Sequence, residues 1–202
     1  MTRAEARAAT RHAVAQAAWS LFAEQGYDPT TVRQIAQRAG VSVGTVINAG
    51  GTAGLLLDLV ESAIADRMSV ASTATSDPAA AIWHRFAPYF DYFASMPELA
   101  RAYGRLLFTD ASRNHRALTT QADAFVDLIA GDITSGIDGV APHDARHAAD
   151  AVFACYLRAL ATWGSGAVDV SEAVTTFRAE LAWQLARFDS RAATTDEPGR
   201  TS

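Results

Sequence analysis

The sequence has no lysine and a single cysteine, Cys155. One thiol cannot close an internal disulfide, and no second thiol is present to build a zinc or iron–sulfur cage, so a reducing compartment suits the chain. Long apolar runs are missing too. Although 50% of the residues are hydrophobic, no stretch approaches the roughly 18 to 20 apolar residues that span a bilayer. The opening MTRAEARAATRHAVAQ scatters acids and arginines and lacks the apolar segment and small-residue cleavage site of a secretory signal, so a cytoplasmic protein without a membrane partner is expected. No segment alternates with a two-residue period between hairpin turns, which leaves β-structure without a signal. Phosphate-cradling glycine loops, nucleophile elbows and paired carboxylates in an apolar setting are likewise absent, so neither an enzyme nor a bound cofactor is expected.

Charge of one sign is scarce where it matters. The net charge is −5, which would disfavour nucleic acid if it were spread evenly. Over residues 1–56, however, five arginines (Arg3, Arg7, Arg11, Arg33 and Arg38) stand against three acids (Glu5, Glu24 and Asp28), so the acidic excess belongs to the rest of the chain. The exclusive use of arginine accompanies an alanine-rich composition and fits a compositional bias as readily as phosphate binding.

Apolar positions recur at helical spacing almost throughout, so the expected fold is all-α. Val14, Ala17, Ala18, Leu21 and Phe22 share one face of a first helix that ends at Gly26. Thr30 or Thr31 can cap a short second helix burying Val32, Ile35, Ala36 and Ala39, with Gly40 as its terminator and Ser42 as the cap of a third. A fourth is expected from about Thr52 through Leu55, Leu56, Leu59, Val60, Ala63 and Ile64. Small hydroxylated residues over 69–78 read as a connector, and further helices are expected near 79–95, 97–112, 116–135, 142–163 and 170–188. The domains expected are 1–51, a connecting helix and linker over 52–76, a helical body over 77–190 and a disordered polar tail over 191–202.

The segment most informative about function is TVRQIAQRAGVSVGT, residues 31–45: two turns of helix, a glycine turn, a serine cap and a second short helix. In this arrangement one helix crosses the phosphate backbone while the next lies in the major groove. Ser42 leaves the donors at the start of the third helix pointing outward, where they can meet a phosphate or a base edge.

Together, AWSLFAEQGY (18–27), TTVRQIA (30–36) and RAGVSVGT (38–45) resemble the DNA-binding region of TetR-family regulators over about the first 60 residues. The resemblance implies an N-terminal three-helix helix-turn-helix domain and a C-terminal helical domain for ligand binding and dimerisation. It further implies a homodimer on a palindromic, double-stranded operator. By position, Thr31 would contact a phosphate and Arg33 the backbone or a guanine edge. Ser42, Val43, Gly44, Thr45, Ile47 and Asn48 would form the reading end, with Asn48 suited to adenine and Thr45 to a phosphate or a thymine methyl. The sequence departs from the family after Val46: Ile47 replaces a tyrosine, Gly50 a phenylalanine and Ala53 a lysine, which removes two expected phosphate anchors. Two readings follow, a repressor released by a small, largely apolar effector, and a helical ligand-binding or interaction protein whose head binds DNA weakly.

Aromatics concentrate between 79 and 110, and Trp83, Phe86, Tyr89, Phe90, Phe93, Tyr103 and Phe108 are the candidates for an effector site. An ordinary helical core accounts for any one of them equally well. Tyr156, Leu160 and Trp163, with Val174, Phe177, Leu181 and Leu185, form stripes near the C-terminus that suit either an intramolecular core or a four-helix dimer interface, and are taken as the interface. His143 and His147 share a helix face, but their setting reads as a polar helix start, and no metal is expected. Cys155, among Val152, Phe153, Tyr156 and Leu157, reads as a small packed side chain.

Overall fold

The computed structural model describes residues 2–68, 75, 77–107 and 116–195. Among these residues the chain forms α-helices and no strand: α1 (Arg3–Gln25), α2 (Val32–Ala39), α3 (Val43–Asn48), α4 (Gly51–Met68), α5 (Pro78–Ser95), α6 (Pro97–Leu107), α7 (Arg116–Gly136), α8 (Pro142–Gly164) and α9 (Val170–Thr195).

Local chemistry fixes the ends of the first three helices. Thr31 Oγ1 accepts from the Gln34 amide at 3.3 Å, while Gln34 Oε1 accepts from the Thr31 amide at 2.8 Å, so both otherwise orphaned donors are satisfied. Thr30, the other candidate cap, is buried and donates its hydroxyl to the Gly26 carbonyl at 2.7 Å. Gly40 ends α2 in the left-handed region (φ 67°), and Ser42 Oγ accepts from the Thr45 amide at 3.2 Å to start α3.

α1 starts well before its apolar face requires. Thr2 and Glu5 close a capping box, with the Glu5 amide donating to Thr2 Oγ1 at 3.2 Å and the Thr2 amide to Glu5 Oε2 at 2.7 Å. α1, α2, α3 and the start of α4 pack together around Val14, Ala18, Leu21, Phe22, Ile35, Val46 and Leu56.

Behind this head, α5, α7, α8 and α9 form the body, and α6 packs across α8. Phe86 is its hub: the rings of Phe177, Tyr156 and Phe125 lie 4.7, 4.8 and 4.9 Å from it, centroid to centroid. Polar clamps reinforce the helix pairs. Arg85 on α5 grips both carboxylate oxygens of Asp132 on α7, with Nη2 donating to Oδ1 at 2.8 Å. Arg158 on α8 reaches Glu180 on α9 at 3.1 Å. The buried apolar residues of head and body form one contiguous cluster.

Several boundaries differ from expectation, most of them by a single residue. α4 begins at Gly51 rather than Thr52. α9 continues through Thr195, so residues 191–195, expected in a disordered tail, are helical. The seam of large apolar residues stops at Phe188, but a helix does not need a buried stripe along its final turns. Residues 196–202, the expected connector apart from 75, 77 and 78, and the expected continuation of the sixth helix over 108–112 lie outside the described residues.

Candidate functional site

α3 turns one residue, Val46, fully inward and presents the rest. Val43 and Ile47 are 38% and 58% exposed, and Gly44 and Asn48 are exposed beside them. Thr45 is half-buried, its hydroxyl 2.9 Å from that of Ser42, so it belongs as much to the cap as to the surface. Thr31 and Arg33 are exposed at the start of α2. The eight residues expected to face DNA thus gather along the start of α2 and the outer side of α3.

The arginines divide into two groups. Arg38 donates to Glu24 Oε1 at 2.5 Å, and that hydrogen bond holds the Glu24 carboxyl below its usual range. Arg38 is thereby tied to α1. Arg33 is in no ion pair among the described residues, nor are Arg3, Arg7 and Arg11, which recur every fourth residue along an exposed face of α1. Sequence reasoning identified these three arginines but not the rod that aligns them; the Thr2–Glu5 spacing was the available signal.

Past Asn48 the chain turns through Gly50 (φ 99°) and Gly51 (φ 64°), a backbone path that favours glycine. The head also touches the body: Arg105 on α6 reaches Asp28 at 2.8 Å, and Glu98 on the same helix lies beside Gly26. No spacing in the sequence pointed to these contacts, which join elements far apart in the chain.

The candidate effector residues come together as a packed core. Phe86, Tyr89, Phe90, Phe93 and Tyr103 are buried and Trp83 half-buried, while Phe108 lies outside the described residues. Phe93 stacks on Tyr103 at 5.6 Å and Trp83 on Phe90 at 5.9 Å. Burial pushes the Tyr89 hydroxyl up to about 12 and raises that of Tyr103 further.

The expected interface residues are placed differently from their assignment. Tyr156, Leu160, Trp163, Phe177, Leu181 and Leu185 are each at most 6% exposed within a single chain, and Val174 is half-buried. A helical stripe announces that a face is buried without saying against what, and here the partners are α5, α6 and the facing surfaces of α8 and α9 themselves. The side of α9 left outward holds Ala179, Ala182 and Trp183, the last 67% exposed.

His143 and His147 stand with ring centroids 6.4 Å apart, and His143 Nε2 lies 3.5 Å from Asp144 Oδ1. The nearby carboxylates of Asp123, Asp127 and Asp150 converge on Arg146. Cys155 is half-buried, and burial, with Glu180 nearby, raises its thiol above the ordinary range.

Residues 15–48 match the sequence model described as bacterial regulatory proteins, tetR family. No curated protein matches the chain in sequence. Among solved structures, a TetR transcriptional regulator from Rhodococcus sp. RHA1 shares the fold with a TM-score of 0.70 and 19% identity, over 91% of this chain and 97% of that one. FadR from Thermus thermophilus, a TetR-family transcriptional repressor in complex with lauroyl-CoA, aligns with a TM-score of 0.64 and 20% identity over 85% of this chain and 93% of its own. The fatty acid degradation regulator FadR from Bacillus halodurans aligns with a TM-score of 0.58 and 19% identity over 85% and 93%. The head is thus matched over residues 15–48 by the tetR family's own sequence model, and the helices follow the fold of solved TetR-family regulators.

Proposed function

We propose that this chain is a TetR-type transcriptional regulator, a cytoplasmic repressor that binds a palindromic double-stranded operator as a homodimer and is released by a small, largely apolar effector. The observation that carries the DNA-binding part is the outer side of α3: of its six residues only Val46 is committed to the core. The remaining surface of α3, following the glycine turn at Gly40 and the Ser42 cap, stands where a helix-turn-helix presents its second helix to the major groove. Thr31, Arg33 and the Ser42 cap flank it with backbone-contacting groups, and Arg3, Arg7 and Arg11 supply unpaired cations where Ala53 supplies none. A head over 1–51 and a body over 77–190, joined by α4, is the division this reading uses.

For the dimer, the outward side of α9 around Trp183 is the proposed contact, together with the outer side of α8. The two heads must then engage half-sites about 34 to 36 Å apart or a multiple of that. For the effector, the aromatic core around Trp83, Phe86, Tyr89, Phe90, Phe93 and Tyr103 supplies apolar walls, and the lauroyl-CoA held by the Thermus FadR favours a long acyl chain. Parting the Phe93–Tyr103 stack would move α6 and α4 and change the separation of the heads.

A second reading, a ligand-binding protein with a weak head, draws on Gly50 and Ala53, which stand where the family places an aromatic and a lysine. Mobility-shift assays of the purified protein on the DNA upstream of its own gene, at low and moderate salt, separate the two. A sequence-specific shift released by an acyl-CoA is expected; no specific shift at low salt would leave the second reading.

A further inference from the structure

α3, Val43–Asn48, carries no charged side chain. Yet of the five large apolar side chains most exposed among the described residues, two, Val43 and Ile47, stand on this six-residue element. Exposed aliphatics taken singly are ordinary. What is specific here is their placement. They are one turn apart, so they sit about 6 Å from each other along the helix axis, close to two base steps of about 3.4 Å each.

Gly44 lies between them on the same side. Its φ is not positive, and a Cβ there would meet only Ser42 Oγ, at 3.8 Å. The fold would therefore accept alanine, and glycine weakens a helix relative to alanine. Nothing inside the molecule calls for the missing side chain. A surface that must approach closely from outside does. Asn48, one turn beyond Gly44, is the one amide side chain of α3, with a donor NH2 and an acceptor oxygen side by side at its tip.

In the major groove, the C5 methyl of thymine is the apolar feature that distinguishes one base pair from another, whereas guanine offers acceptors that call for arginine or lysine. α3 has neither cation. We propose that α3 reads its half-site through thymine methyls: Val43 and Ile47 each cover one, about two base steps apart, Gly44 lets the helix backbone approach, and Asn48 pairs with a neighbouring adenine. This inference rests on the operator-binding reading above and narrows it to an A·T core contacted by apolar surface.

The test uses the full-length protein. A binding site is first selected from random duplexes, and each thymine of a half-site is then replaced by deoxyuridine, which removes only the methyl. Fluorescence anisotropy should find two positions per half-site at which the replacement weakens binding about threefold to fivefold, the effect of uncovering one methyl group. Ile47→Ala should abolish the sensitivity at one position and Val43→Ala at the other. Gly44→Ala should keep or raise the thermal midpoint while weakening binding at least about tenfold, which separates a steric effect in the groove from a folding defect. A selected site whose affinity ignores every deoxyuridine replacement, or an Ile47→Ala protein that keeps both sensitivities, would overturn the inference while leaving operator binding intact. Failure to select any site would remove the operator reading and this inference with it.

Discussion

Gly50 faces Gly54 so closely that a Cβ on Gly50 would stand 2.9 Å from the Gly54 Cα. With φ at 99° as well, the turn between α3 and α4 rests on two independent reasons for glycine at 50. Gly50→Ala is expected to lower stability by roughly 2 to 4 kcal/mol, since left-handed strain and a backbone clash act together. Gly54→Ala, whose Cβ would meet the Ala49 carbonyl at an ordinary 3.6 Å, should change stability by no more than about 1 kcal/mol. Denaturant midpoints of the two variants check the contrast. The path also explains the missing phenylalanine: no side chain fits at 50 on this backbone.

Phe86 and Trp183 should respond in opposite ways. Phe86 is fully buried against three other rings, so Phe86→Ala should cost about 3 to 5 kcal/mol in chemical denaturation. Trp183, 67% exposed, should change the stability of the isolated chain by no more than about 0.5 kcal/mol when cut to alanine. Sedimentation velocity should nevertheless show the Trp183→Ala protein shifted towards monomer. An unchanged dimer would place the interface elsewhere.

Arg85 and Asp132 are only 13% and 12% exposed, and their bidentate pair ties α5 to α7. Arg85→Met leaves a mostly buried carboxylate without its partner and should lower stability by about 2 to 3 kcal/mol. The double variant Arg85→Met/Asp132→Leu should recover to within about 1 kcal/mol of the parent, because the cost lies in the stranded charge. A thermal-denaturation double-mutant cycle measures the coupling.

Cys155 should behave as a packing residue. Burial raises its thiol above the ordinary 9.0, so little thiolate exists at neutral pH. Alkylation of the folded protein should run slower than that of the denatured chain at about pH 7.5, and its rate should still be climbing above about pH 9. A rate that levels off below about pH 8 would indicate an activated thiol instead.

Much of the architecture was legible because the helix boundaries are written in local chemistry. Thr31, Ser42 and Gly40 each bond a partner only three or four residues away, and Pro97 and Pro142 open the helices assigned to them. The exposed side of α3 was legible for the same reason: a short helix with one buried residue has few ways to orient. The last two helices were harder. Their stripes at Leu160, Phe177 and Leu181 suggested an interface and proved to be interior, because periodicity specifies a buried face and not its partner. The contact between Arg105 and Asp28 joins residues whose proximity depends on the whole fold, and no window of sequence contains it.

The most direct test of the central claim is an anisotropy titration of the full-length protein against the selected duplex and a scrambled duplex of equal length, repeated across a salt series. The operator should be preferred by at least about a hundredfold at moderate salt. Replacing Arg3, Arg7 and Arg11 with alanine should flatten the dependence of log affinity on log salt by about one unit for each phosphate these arginines neutralise, while preserving the preference. Equal affinity for the two duplexes at every salt concentration would contradict the account.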